Sequence, residues 1–172
     1  LSILGRDYRV SLEKKSVEPM DAPPGKPNFF LTLVAVAYLI HSKDIPLAGE
    51  LVSEQAFPNG PLFFRGLHAL PTGKILKRFG GNRDDLAAAA ARLVGRRVNA
   101  GDIAFVFPLL PRLPVTLVLW LADDEFPARL SFLFDRTACE HLPFDALLTA
   151  VKVLEDRLLA AAQPANGTPR QR

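Results

Sequence analysis

The stretch Asp102-Ile-Ala-Phe-Val-Phe-Pro-Leu-Leu-Pro-Arg-Leu-Pro-Val-Thr-Leu-Val-Leu-Trp-Leu121 decides the fold. Two apolar runs, near Ala104–Phe107 and Val115–Leu121, are separated by Pro108, Pro111 and Pro114. Aromatic and β-branched side chains suit a pleated surface, and proline punctuates it. The stretch therefore reads as two strands joined by a turn. An acidic corner follows, Asp123-Asp124-Glu125-Phe126-Pro127. Beyond it Leu130, Phe132 and Phe134 alternate with Arg129, Ser131 and Asp135, which describes a third strand with one covered face. The middle run is apolar on both faces, so it is expected to be central and covered by helices.

Helical spacing takes over at Pro143. Phe144, Leu147, Leu148, Val151, Leu154 and Leu158 fall on one stripe. Upstream, Asn82 is a good helix cap, Asp84 and Asp85 suit a first turn, and Gly95 supplies a stop. Thr72 to Phe79 reads as one or two helical turns ended by Gly80-Gly81. Asn28 caps a run to His41 that is apolar nearly all round, which predicts a helix inside the fold. Tyr8, Val10 and Leu12 alternate with polar residues as a half-buried strand, with a tight turn at Glu13–Ser16 and a second strand near Val17. Met20 to Pro27 is a proline-rich connector. Gly49 to Phe57 fits helix or strand. The expectation is one α+β domain over residues 1–162, a mostly antiparallel sheet with helices packed on it, and a disordered polar tail over 163–172.

Composition narrows the function classes. A chain of 172 residues has room for one core. A formal charge of +3 with scattered lysines and arginines lacks the basic stripe of a nucleic-acid binder. The longest apolar run, Phe29 to Ile40, is shorter than the roughly 20 residues that cross a bilayer. The single Cys139 excludes an internal disulfide, and Leu1-Ser-Ile-Leu-Gly-Arg6 has no signal-peptide character, so the expected compartment is a reducing cytoplasm. A start at Leu1 instead of Met is the start expected of a fragment or trimmed chain.

Several stretches resemble an uncharacterised bacterial and archaeal family, domain of unknown function 3786. They are Leu113-Pro-Val-Thr-Leu-Val-Leu-Trp120, Asp124-Glu-Phe-Pro127, Leu133-Phe-Asp135 and His141-Leu-Pro143. Leu4-Gly-Arg-Asp-Tyr-Arg-Val10, Pro46-Leu-Ala-Gly-Glu50 and Lys77-Arg-Phe-Gly80 match more weakly. Where the family pattern has Gly after the strand Trp and a Glu beside it, this chain has Leu121-Ala122. The resemblance implies a neighbourhood of redox or metallocofactor proteins, because the family module is often joined to an iron–sulfur cluster domain. One cysteine cannot hold such a cluster, so no cofactor is expected in this chain and a cluster enters only through a partner or fused domain.

Three stretches invite a chemical reading, and the third fails it. Asp123, Asp124 and Glu125 bunch charge after a central strand, where carboxylates hold cations or transfer protons; contiguous carboxylates point in different directions, so a solvated turn is the favoured explanation. Cys139 and His141 precede the last helix and have metal-ligating side chains, with no second pair in sight. Gly73-Lys74 lacks the Ser or Thr of a phosphate loop, since Ile75 follows. The leading expectation is a non-catalytic accessory module that docks a redox or metallocofactor protein. The alternatives are a small-molecule or cofactor pocket near Trp120 and Phe126, with Asp124 and Glu125 beside it, and a metal-dependent enzyme using Asp124, Glu125 and His141.

Overall fold

Alternating apolar residues pair into two antiparallel sheets, and periodic ones coil into helices laid against them. A computed structural model describes residues 1–23, 25 and 28–162. The elements run β1 (Ser2–Ile3), β2 (Arg6–Ser11), β3 (Ser16–Pro19), α1 (Phe29–His41), β4 (Leu51–Val52), α2 (Gly60–Phe63), α3 (Gly73–Phe79), α4 (Arg83–Arg92), β5 (Arg96–Val98), β6 (Ile103–Leu110), β7 (Leu113–Trp120), β8 (Arg129–Asp135), α5 (Ala138–His141) and α6 (Phe144–Ala161). The first three strands form one sheet in order β1-β2-β3, and the others form a second in order β4-β8-β7-β6-β5. The fold is α+β. The tail expected beyond residue 162 lies outside the described residues.

The register explains the core. Leu117 on β7 sits opposite Phe105 on β6 and Phe132 on β8, and Val115 sits opposite Phe107 and Phe134. One face of the sheet thus presents a block of rings and branched side chains. It joins Leu31 and Val34 of α1, Leu86 of α4, and Leu147, Leu154 and Leu158 of α6 in one buried cluster. Two caps read from sequence are made: Asn28 accepts from the Leu31 N–H at 3.0 Å and Asn82 from the Asp85 N–H at 3.1 Å.

β7 is central, but helices cover only one of its faces. Thr116 and Val118 point to the other face; they are buried and stand outside the cluster that the helices join. A loop, not a helix, crosses Val118. A Cβ on Gly101 would lie 2.7 Å from Val118 Cγ1, a separation that only glycine permits.

The expectation that α1 lies inside the fold is corrected. Leu31, Val34, Ala35 and Tyr38 are buried, whereas Phe29, Phe30, Leu33, Val36, Leu39 and Ile40 are exposed, Phe29 by 71% and Ile40 by 70%. A helix laid on one layer buries one face whatever its other face is made of. Gly49 to Phe57 resolves into the two-residue β4 and a single 3₁₀ turn, Glu54–Ala56. The short strands β1 and β5 carry too few residues for alternation to reveal them. No helix among the described residues is long and apolar enough to cross a membrane.

Candidate functional site

The β7–β8 hairpin places Trp120 directly opposite Arg129. Antiparallel partners face the same side of the sheet, so the guanidinium lies over the indole, its central carbon 4.3 Å from the ring centroid. The connecting loop is tied by its own acid. Asp123 Oδ1 accepts from the N–H groups of Glu125 at 2.9 Å and Phe126 at 2.7 Å, and the Asp123 N–H donates to the Phe126 carbonyl at 3.0 Å. A short carboxylate that caps its own turn explains why an aspartate stands there. From the other side of the hairpin, Asp102 accepts from the Leu121 N–H at 2.7 Å and donates its own N–H to the Leu119 carbonyl.

These contacts frame a cavity of about 650 Å³ at this end of the sheet. Trp120, Phe126 and Pro127 supply its apolar wall; Asp102, Asp123 and Arg129 supply charge of both signs. Phe126 is exposed by 66%, a large ring held at the lip instead of in the core. Of the residues singled out from sequence, Trp120 and Phe126 line the cavity together. Asp124 and Glu125 sit in the same loop, exposed and outside the lining. Arg129 and Asp102 escaped the sequence reading. The signal for Arg129 was the hairpin register, which needs the loop length; Asp102 stood just outside a run read only for its apolar residues.

Cys139 and His141 occupy α5 at the opposite end of β8. Seven strand residues separate the two ends, about 20 Å at the usual rise. Asp124, Glu125 and His141 therefore cannot meet on one ion. Positions two apart on a helix also face different directions, which divides Cys139 from His141. His141 is fully buried, and its Nδ1 accepts from the Lys43 N–H at 3.3 Å. The neutral ring then carries its proton on Nε2, which has no partner among the described residues. Burial, with the Arg112 charge second, pushes the His141 pKa down. Burial, with Glu140 second, pushes the Cys139 thiol up. Among the described residues no three His, Cys, Asp or Glu side chains gather as metal ligands.

At the same end of the sheet Asp135 is buried and accepts from the N–H groups of Ala48, Gly49 and Thr137 and from the Thr137 hydroxyl. Burial alone raises its pKa, but the hydrogen bonds from Thr137, Ala48 and Gly49 outweigh it and hold the carboxyl below its ordinary value. Arg136 pairs with Glu50 beside it. Two stretches that looked separate in sequence, Pro46–Glu50 and Leu133–Asp135, are thus one clamp.

These features define a small α+β domain with a pocket at one end of its larger sheet and a structural clamp at the other. The chain belongs to a family of unknown activity, described as Domain of unknown function (DUF3786), whose model matches residues 1–157. No curated protein and no solved structure matches it.

Proposed function

We propose that this chain is a small-molecule-binding domain whose ligand occupies the cavity between Trp120 and Phe126. The carrying observation is that cavity: about 650 Å³, walled by two aromatic rings and a proline, with charged groups converging on it. Pockets that hold small molecules combine an apolar lining with a few placed polar groups. The Trp120 ring fixes the Arg129 guanidinium, and backbone N–H groups fix Asp102 and Asp123. Little side-chain order is left to lose on binding. Charges of both signs suit a ligand with an apolar body and ends of opposite charge.

Trp120 is the chain's only tryptophan, so its emission reports occupancy. The test is native mass spectrometry of protein purified without oxygen, with ligand released and returned while Trp120 fluorescence is followed. A bound mass that shifts the emission, and that Arg129→Leu loses, is the expected result. Protein that never carries a mass and whose emission no extracted small molecule alters would overturn the reading.

A second reading rests on a different observation, the uncovered apolar face of α1. Contiguous exposed apolar surface on a folded domain marks a contact site. On this reading α1 docks a protein, and we propose one carrying an iron–sulfur or other redox cofactor, the kind of partner that the sequence resemblance implies. Iron and labile sulfide co-purifying in fixed ratio with the chain, and lost on Phe29→Gln, is the expected outcome.

A further inference from the structure

A second cavity lies where the first sheet meets the C-terminal end of α6, and it gathers three guanidiniums. Arg6, Arg92 and Arg157 line a space of about 300 Å³ in which Asp21 is the single carboxylate. Arg6 is neutralised by Asp21 at 2.7 Å, and Arg92 donates to the Ala161 carbonyl at 2.6 Å. Arg157 differs. Its Nη2 donates to the Tyr8 hydroxyl at 3.1 Å, and no carboxylate pairs with it among the described residues. A guanidinium has five N–H donors, so most of this one's capacity is unspent. Tyr8 is buried, and having accepted from Arg157 it still has its own O–H to donate. Buried Ile3, Leu31 and Val153 form the apolar side. Positive charge in excess beside apolar surface is costly until an anion joins it.

We infer that this cavity binds a small molecule bearing an oxyanion, carboxylate or phosphate, held by Arg157 and the Tyr8 hydroxyl, with a short apolar body against Ile3, Leu31 and Val153. Planar guanidinium matches both kinds of oxyanion through paired N–H groups. An adjoining space of about 520 Å³ shares Leu4, Arg6, Asp21 and Arg92 with it, which leaves room for a longer ligand. The site shares no lining residue with the Trp120 cavity and stands independently of it.

The test is isothermal titration of the full chain with inorganic phosphate and, separately, with hexanoate, at ionic strength held constant with sodium chloride. Saturable one-to-one binding of at least one probe is expected. Phosphate alone marks a phosphate ester as the ligand class; hexanoate alone marks a carboxylic acid. Arg157→Gln is expected to weaken binding about tenfold or more, since a charge-assisted hydrogen bond is lost. Tyr8→Phe, which removes one oxygen, is expected to weaken it severalfold, and it serves as the deciding variant if Arg157→Gln does not fold. Trp120 emission is expected to stay constant throughout. Failure of both probes to saturate, undiminished binding by the folded variants, or a Trp120 response tracking the titration would overturn the assignment.

Discussion

The carboxylate of Asp135 accepts a 2.8 Å hydrogen bond from the backbone N–H of Gly49, 86 residues earlier in the chain. Gly49 has a φ of +72°, a left-handed conformation that glycine adopts without penalty, and this turns its N–H toward the strand end. The bond closes the long connection between α1 and the larger sheet.

Removing that carboxylate leaves several backbone donors without their acceptor. Asp135→Ala is expected to cost about 2 kcal/mol of stability, with Asp135→Asn intermediate, in denaturant titration. The pH dependence has a definite sign. A folded-state pKa held below the unfolded value stabilises the protein above the unfolded pKa, about 3.9 for aspartate. The contribution falls away as pH drops through the folded value. The gap between parent and Asp135→Asn should be flat from neutrality to about pH 4 and close below it. A gap that widens on acidification would contradict the clamp.

The two faces of α1 should respond differently. Leu31 and Val34 are buried, and Leu31→Ala is expected to cost about 2–5 kcal/mol. Phe29→Gln and Ile40→Gln remove exposed groups and should change stability by no more than about 0.5 kcal/mol each. The same two changes should lower binding of a dye that reports exposed apolar surface. Equal destabilisation by both sets would mean the outer face is covered.

Val94 holds a φ of +56°, which is strained for a β-branched residue, and its side chain is exposed. Gly95, read from sequence as the helix stop, does not take the left-handed position. Its role is space: a Cβ there would lie 2.7 Å from Phe107 Cε1 and 2.9 Å from the Ala90 carbonyl oxygen. Val94→Asn is therefore expected to stabilise by about 1 kcal/mol, a rise in Tm of roughly 2–4 °C. Gly95→Ala should destabilise by about 1–3 kcal/mol. Calorimetry of both variants checks the assignment.

Cys139 should react slowly. Its thiol pKa is pushed up by burial, and the thiolate is the reactive form. Its labelling rate with a disulfide reagent at pH 7 is expected to fall below that of free cysteine and to climb on alkalinisation. Labelling faster than the free amino acid would restore it as a functional nucleophile or ligand.

Short apolar runs set off by prolines made β6 and β7 legible, and period-two alternation made β8 legible, because side chains on a half-covered strand must choose between two faces. Period 3.6 made α6 legible in the same way, and Asn28 and Asn82 announced their helices through local capping. The uncovered face of α1 was not legible: apolar residues all round a helix record that it has no polar face, not how many neighbours it has.

The site divides along the same line. Sequence alone marked Trp120 and Phe126, because large rings around an acidic turn stand out without any knowledge of their neighbours. It also set the α+β class, since local periodicity carries that information. Tertiary structure decided the rest: that Arg129 lies on Trp120, that Asp102 joins them, that Asp135 reaches Gly49, and that Arg157 meets Tyr8. Each of those pairings depends on where the chain returns after a turn or a long excursion, and spacing along a sequence does not encode distance across a fold.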